Sequence, residues 1–303
     1  MRRPTVLPDQ LRTQTAVAAV VLLAIVGAGL FSSAPAHADV STTTGTSNST
    51  LKGKVDPQSL PPVFGSVGYE YGGSAVDSKD GSLQAFQSLF VGINRRLGKD
   101  WIAGAKISVD QDLRYSDALQ GNGISDLALG LSQMPQVRTS WLSTTSKYSV
   151  VLPASNYSQS QLGLEASAGA DVGLLLTPSW MSKDVMLSLG LGGSRNFHKY
   201  STDASGNILN PWSVREDLFA GYSLGKFFFD IDFLHRSAFS YNNDISESFE
   251  HTEEAAYSFT PAWRMALGHT NRGSWLGANG VDSNLKLIDP NASIFYVMVA
   301  WKF

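Results

Sequence analysis

Ser237 and His235 stand two residues apart in the segment Phe227–Tyr241, and a serine beside a histidine is a pairing that serves nucleophilic hydrolysis. Apolar residues fill the odd positions of this segment, so a strand would place both side chains on its apolar face. A two-residue turn at Gly225-Lys226 would set Leu224 opposite Phe227 and therefore Glu216 opposite His235. The sequence thus predicts a serine, a histidine and a carboxylate on one surface of a sheet, a candidate catalytic group.

A Ser and a His two apart on a lipid-facing strand resemble outer-membrane phospholipase A. In that family an amide residue orients the pair, and the resemblance would imply lipid hydrolysis by Ser237, His235 and Glu216. Here Ala238-Phe239 replaces the Asn-Gly of the family, and the third member is a carboxylate. The interpretation we favour is a cross-strand Glu–His pair at the level of the lipid headgroups, without enzymatic activity.

Charged residues recur on the polar face of many alternating segments, opposite a face of Leu, Val, Ala and aromatic residues. If the strands close into a membrane barrel, the polar face lines the lumen, where charged side chains set ion selectivity. The alternative is a network of mutually paired charges that seals the lumen. The residues assigned to the lumen are Glu70, Lys106, Asp110, Asp112, Arg114, Asp126, Lys147, Glu165, Asp171, Arg215, Asp217, Asp230, Asp232, Arg236, Arg264, Asp282 and Lys286.

The sequence gives little indication of disulfides, metal sites or nucleic-acid binding. The chain has no cysteine, which excludes disulfides and thiolate sites. His198, His251 and His269 fall in predicted loops and turns without metal-ligand spacing, so the sequence predicts no metal and no cofactor. A net charge of −3 gives no basic footprint for nucleic acid.

The elements that position these residues are alternating segments from Val63 onward, and together they predict an all-β transmembrane antiparallel barrel. About twelve segments are recognisable, with a range of roughly 10 to 14, and single-chain bacterial barrels have even strand numbers. Short links alternate with long ones, as expected for periplasmic turns and external loops. The predicted segments are Val63–Tyr71, Leu83–Asn94, Trp101–Tyr115, Asp126–Ser132, Leu142–Leu152, Leu162–Leu176, Val185–Asn196, Trp212–Leu224, Phe227–Tyr241, Tyr257–Leu267, Trp275–Lys286 and Ser293–Phe303.

The N-terminal residues indicate export. Basic residues, an apolar run and a small-x-small pattern ending at Ala38 predict a signal peptide over 1–38. The apolar run spans about 15 residues, shorter than the roughly 20 of a membrane-spanning helix. Residues 39–62 are rich in Ser, Thr, Gly and Lys and predict a flexible periplasmic leader, followed by the barrel over 63–303.

The last strand ends the chain on an aromatic residue after an apolar alternation. It resembles the C-terminal signal of Gram-negative outer-membrane barrels, which the barrel assembly machinery reads, with Tyr296, Trp301 and Phe303 as its aromatic residues. The resemblance implies residence in the outer membrane, in contact with its lipid and lipopolysaccharide.

Two further segments, Ile124–Gly130 and Val150–Ser155, are similar to outer-membrane proteins of the meta-pathway phenol-degradation type. That resemblance implies uptake of small, including aromatic, molecules. The sequence therefore predicts a porin-like channel for passive or facilitated passage of small solutes. The alternative is a non-conducting surface protein that binds a partner through its external loops.

Overall fold

The computed structural model describes residues 61–74, 85–113, 122–178, 180–276, 282–289 and 292–303. Within them the chain forms twelve antiparallel strands, as the sequence predicted. The first six are β1 (Val63–Ser74), β2 (Ala85–Leu97), β3 (Trp101–Asp112), β4 (Asn122–Ile124, Leu127–Gln133 and Gln136–Thr139), β5 (Leu142–Leu152) and β6 (Leu164–Leu176). The last six are β7 (Val185–His198), β8 (Trp212–Leu224), β9 (Phe227–Phe239), β10 (Ile245–Ser258), β11 (Trp263–Ser274) and β12 (Ile294–Lys302).

The sheet closes on itself. Strand β1 pairs with β12, with Tyr69 opposite Val299, and β2 pairs with β3, so the order returns to its start. The three stretches of β4 follow one another between β3 and β5: the first pairs with β3, the second with both strands, and the third with β5. Among the described residues the long strands are therefore paired on both sides, which is the condition for β-structure in a lipid environment.

Side chains alternate between an apolar exterior and a mainly polar interior. Along β9 the odd residues Phe227, Phe229 and Ile231 are exposed, whereas Phe228 and Asp230 are buried. On β6, Val172 is 56% exposed, while Asp171 on the opposite face forms an ion pair with Arg215 along the interior wall. The exterior therefore presents apolar groups in the way that a lipid-facing wall does. No helix in the described part of the chain has the length and hydropathy of a membrane span.

The sequence placed two strands wrongly. In place of the predicted strand Tyr257–Leu267 the structure has β10 and β11, and His251 and His269, which were assigned to loops and turns, lie within these two strands. The turn between these strands is at 259–262. The predicted strand Trp275–Lys286 belongs instead to the link 275–293 between β11 and β12, which we call the β11–β12 loop.

The β11–β12 loop lies against the outer wall where the structure describes it. The Lys286 carbonyl oxygen accepts hydrogen bonds from His251 Nε2 at 2.9 Å and from Asn271 Nδ2 at 2.7 Å. The Trp275 amide donates to the Glu247 carbonyl at 3.0 Å. Part of the exterior of β10 and β11 is therefore covered by protein rather than by lipid.

The predicted signal peptide and all but the last residues of the predicted leader lie outside the described residues. Both boundaries stay predictions.

Candidate functional site

The interior of the barrel contains two groups of charged side chains on different parts of the wall. We call them the β10–β12 cluster (Glu254, Arg264 and Tyr296) and the β6–β8 cluster (Asp171, Arg215 and Asp217). Each group lies on the lumen face, since its residues alternate along their strands with exposed apolar neighbours such as Val172, Leu218 and Val297.

The β10–β12 cluster is a buried ion pair with an additional donor. Arg264 Nη2 lies 2.8 Å from Glu254 Oε1, and the Tyr296 hydroxyl donates to Glu254 Oε2 at 3.1 Å. All three side chains are buried, and the guanidinium lies 5.4 Å from the centre of the Phe228 ring. Glu70, also buried, interacts electrostatically with Glu254 and with Lys106. This side of the lumen therefore holds an acidic group whose charges depend on Arg264 and Lys106 for compensation.

Aromatic rings on the same side lie flat on the barrel wall. The ring of Phe90 occupies the space over Gly68, and that of Tyr296 occupies the space over Gly268, where a Cβ would overlap it. The missing side chain lets each ring approach the backbone of the neighbouring strand. The rings thus cover glycine backbone along the wall.

The β6–β8 cluster is more open. Arg215 Nη2 lies 2.6 Å from Asp171 Oδ1. A Cβ on Gly192 would meet both members of this ion pair, so glycine at this position provides the room that the pair occupies. A cavity of about 320 Å³ lies beside the pair, with Thr145, Lys147, Gly190 and Asp217 among its lining residues. This side of the lumen combines small residues with charges of both signs.

Several other residues assigned to the lumen also lie on its face. Asp110 accepts hydrogen bonds from the hydroxyls of Ser88 at 2.6 Å and Ser108 at 3.1 Å. The alternation of β3 and β9 places the remaining ones at inward positions, namely Asp112, Asp232 and Arg236. Arg114 lies outside the described residues.

Four of the assigned residues are elsewhere. Asp126 lies between two stretches of β4, and its carboxylate accepts hydrogen bonds from the amides of Ala154 and Ser155, so it holds the following loop. Glu165 is exposed at a register shift of β6, where the alternation is interrupted. Asp282 and Lys286 lie in the β11–β12 loop, where Lys286 pairs with Asp289 at 2.8 Å. The alternation of polar and apolar residues predicted all four as inward strand residues. The prediction was wrong because the break between the stretches of β4, the register shift of β6 and the β11–β12 loop interrupt that alternation.

The candidate catalytic group is not assembled. The register sets Glu216 opposite His235, with His235 Nδ1 3.0 Å from Glu216 Oε2. His235 Nε2 has no hydrogen-bond partner in the described structure, so neither ring nitrogen bonds Ser237. The Trp275 ring lies 4.6 Å from the imidazole. The arrangement is a Glu–His pair on the outer wall, with an aromatic neighbour.

Sequence reasoning missed Glu254 and the inward orientation of Tyr296. Glu254 lies before the predicted strand Tyr257–Leu267, in a segment that was not predicted as a strand, although polar residues at every second position from Ser248 are typical of one. Tyr296 was assigned only to the assembly signal. Its position between exposed Phe295 and Val297 shows that it faces the lumen.

The solved structures that resemble this chain include three outer-membrane proteins. An outer-membrane channel from Pseudomonas putida F1 matches with a TM-score of 0.56 and 13% identity, covering 82% of this chain and 100% of that one. The KdgM porin in complex with disordered oligogalacturonate matches with a TM-score of 0.44 and 9% identity, covering 78% and 99%. OmpT of Vibrio cholerae, with loop L8 deleted, matches with a TM-score of 0.41 and 8% identity, covering 80% and 98%.

No protein-family model and no curated protein matches the sequence. The chain has the fold of the outer-membrane β-barrels, by its closed twelve-stranded sheet and by its likeness to the Pseudomonas structure.

Proposed function

We propose that this protein is an outer-membrane channel through which small polar solutes pass by passive or facilitated diffusion. The observation that carries the proposal is the β6–β8 cluster, where a glycine-rich stretch of wall leaves a cavity lined by Lys147, Asp171, Arg215 and Asp217. Small wall residues leave room in the lumen, and charges of both signs along that room favour polar solutes.

The proposal also specifies the class of solute that the channel would pass. The rings of Phe90, Phe219 and Phe228 form an apolar cluster inside the barrel, beside the charged side chain of Arg264. This combination suits solutes with both an apolar body and a polar group, in keeping with the sequence resemblance to phenol-degradation-type proteins. Permeation of benzoate and of hexanoate, measured as reversal potentials of their sodium salts, tests it. A benzoate permeability no higher than that of hexanoate would remove the aromatic preference.

A second function is favoured by one observation. The Glu254–Arg264–Tyr296 network is buried, and buried pairing of this kind seals part of the lumen. If the seal extended across the barrel, the protein would act through its external loops by binding a partner. Conductance distinguishes the two functions, since a sealed barrel passes no ions.

Ion selectivity provides the test with the sharpest control. Asp217 and Glu216 are neighbours on β8, and Asp217 lines the cavity whereas Glu216 is on the outer wall. Both Asp217→Asn and Glu216→Gln remove one negative charge. In planar bilayers under a KCl gradient, we expect the wild type to prefer cations mildly, D217N to shift the reversal potential toward anions, and E216Q to leave it unchanged. Equal shifts in the two variants, or none in either, would contradict the assignment of this wall to the conduction path.

A further inference from the structure

The outer wall carries a polar cluster that the lumen does not explain. His251 and Glu253 on β10 and His269 on β11 lie on the same side as exposed Leu267, which is 53% exposed, so they point away from the lumen. Their potential ligand atoms all lie within 4.8 Å of one another. Ser293, the last residue of the β11–β12 loop, and Asn271, on β11, complete the polar surroundings.

Glu253 stands between two imidazoles. His251 Nδ1 lies 2.9 Å from Glu253 Oε1, and His269 Nδ1 lies 2.7 Å from Glu253 Oε2. One carboxylate therefore has a ring nitrogen on each of its oxygens. The remaining ring nitrogens also have partners, since His269 Nε2 lies 2.9 Å from the Ser293 hydroxyl.

The hydrogen bond of His251 to the β11–β12 loop fixes its tautomer. The Lys286 carbonyl oxygen only accepts, so His251 Nε2 carries a hydrogen. In the neutral imidazole, Nδ1 then presents a lone pair to the lone pairs of Glu253 Oε1 at 2.9 Å. Two lone pairs at this distance repel each other, so the contact needs a cation between them, either a proton or a metal ion.

Asn271 supplies an independent observation. It lies directly opposite His251 in the register and is only 1% exposed. Its Oδ1 is buried and has no hydrogen-bond partner within the described residues. A buried oxygen without a partner is destabilising, and a positive charge in the adjoining cluster reduces that penalty.

We propose that His251, Glu253 and His269 bind a zinc ion on the outer wall of the barrel. Two imidazoles and a carboxylate are a ligand set that Zn²⁺ takes, with a fourth position left for water or an external ligand. Tetrahedral coordination with bonds of about 2.1 Å separates ligand atoms by about 3.4 Å. The two Glu253 contacts, at 2.9 and 2.7 Å, would lengthen by about 0.5–0.7 Å, and the ligand atoms that lie up to 4.8 Å apart would come closer together. Glu253 is partly exposed, which gives the ion an entry path.

The surroundings match those of zinc-bound histidines. A ligating histidine usually donates its other N–H to a carbonyl, a carboxylate or another fixed group, which orients the ring. Lys286 provides a carbonyl for His251, and Ser293 provides a hydroxyl for His269. Since Lys286 belongs to the β11–β12 loop, bound zinc would also hold the loop on the barrel wall.

The line from Ser293 through His269 to Glu253 also has the order of a serine hydrolase triad. Two features favour the metal. Ser293 is 0% exposed and its Oγ accepts the Asp289 amide hydrogen at 2.9 Å, so substrate has no approach to the hydroxyl. The second imidazole on Glu253, that of His251, has no part in a triad but is a ligand in a zinc site.

Cobalt provides the direct test, because tetrahedral Co²⁺ has an intense visible absorption and Zn²⁺ displaces it from shared sites. The protein is purified in detergent without a histidine tag, stripped with a chelator and titrated with Co²⁺. We expect one Co²⁺ per chain with the tetrahedral spectrum, displacement by Zn²⁺, and loss of the spectrum in H251Q and in H269Q. The matched control is His198→Gln. His198 is the last residue of β7, lies beside Tyr241 and is not part of the cluster, so this variant should leave the titration unchanged.

Ser293→Ala separates the metal site from a triad. It removes only the orienting hydroxyl, so Co²⁺ should still bind, about 10- to 100-fold more weakly. Heat-modifiable migration on gels shows that each variant is a folded barrel. Absence of the tetrahedral spectrum in the folded wild type, or its persistence in both H251Q and H269Q, would overturn the proposal. The result is independent of whether the lumen conducts.

Discussion

The buried pair of Glu254 and Arg264 makes an asymmetric prediction about stability. The two side chains are 1% and 4% exposed, so solvent screens their interaction very little. Arg264→Met leaves Glu254 without its cationic partner, in a region where Glu70 and Asp230 add further negative charge. Removal of one member of a buried pair typically costs about 3–5 kcal/mol, and the surrounding acidic groups place this variant at the upper end.

Glu254→Gln should be milder. Glu70 and Asp230, which interact electrostatically with Tyr296 as Glu254 does, stay on this side of the lumen as negative charges, and the amide oxygen still accepts a hydrogen bond. The expected loss is about 1.5–3 kcal/mol, the range for a hydrogen bond to a charged group. The double variant should be less destabilised than the sum of the single ones, because it leaves no unpaired charge from this pair.

Reversible urea unfolding in lipid vesicles, followed by tryptophan fluorescence, measures these differences. Met265→Leu is the control, since Met265 is the outward neighbour of Arg264 and a volume-conserving exchange there should cost under about 1.5 kcal/mol. If R264M is no less stable than E254Q, the electrostatic account of this side of the lumen is refuted.

Two glycine substitutions give further predictions. Gly192→Ala should lower the free energy of unfolding by about 1–3 kcal/mol and alter ion selectivity, because its Cβ would intrude on the Asp171–Arg215 pair. Gly193→Ala is its control in both assays, as the nearest atom to that Cβ is 3.7 Å away. Gly225→Ala should cost about 1–2 kcal/mol in the same unfolding assay, since φ is 60° in the β8–β9 turn and no contact would compensate; an unchanged midpoint would contradict the strain argument.

The sequence predicted most of the barrel because most of its wall faces lipid. Where apolar residues meet lipid and polar residues meet the lumen, as along Phe227–Phe239, alternation follows directly from the environment. The prediction was wrong over β10 and β11, and the β11–β12 loop provides the physical reason. This loop covers the outer wall, so His251, Glu253 and Asn271 replace the apolar residues that lipid would require, and the alternation disappears.

The same feature explains why the cluster of His251, Glu253 and His269 was not predicted. His251 on β10 and His269 on β11 lie on either side of the turn between these strands. The pairing register of the two strands, rather than the spacing in the sequence, brings them together. The lumen residues were easier, because Asp171, Arg215 and Asp217 follow from parity within single strands. Their pairing across strands required the three-dimensional register.

Single-channel conductance with one obstructing residue tests the central claim, that solutes pass through this lumen. Gly130 faces the lumen on β4. A Cβ at this position would have its nearest neighbouring atom 3.8 Å away, so a larger side chain has room to point inward. Its neighbour Leu129 is exposed on the outer wall. We expect discrete steps from the wild type, smaller steps from G130W and unchanged steps from L129W. Silence from folded wild-type protein, or equal steps from all three, would contradict conduction through the lumen.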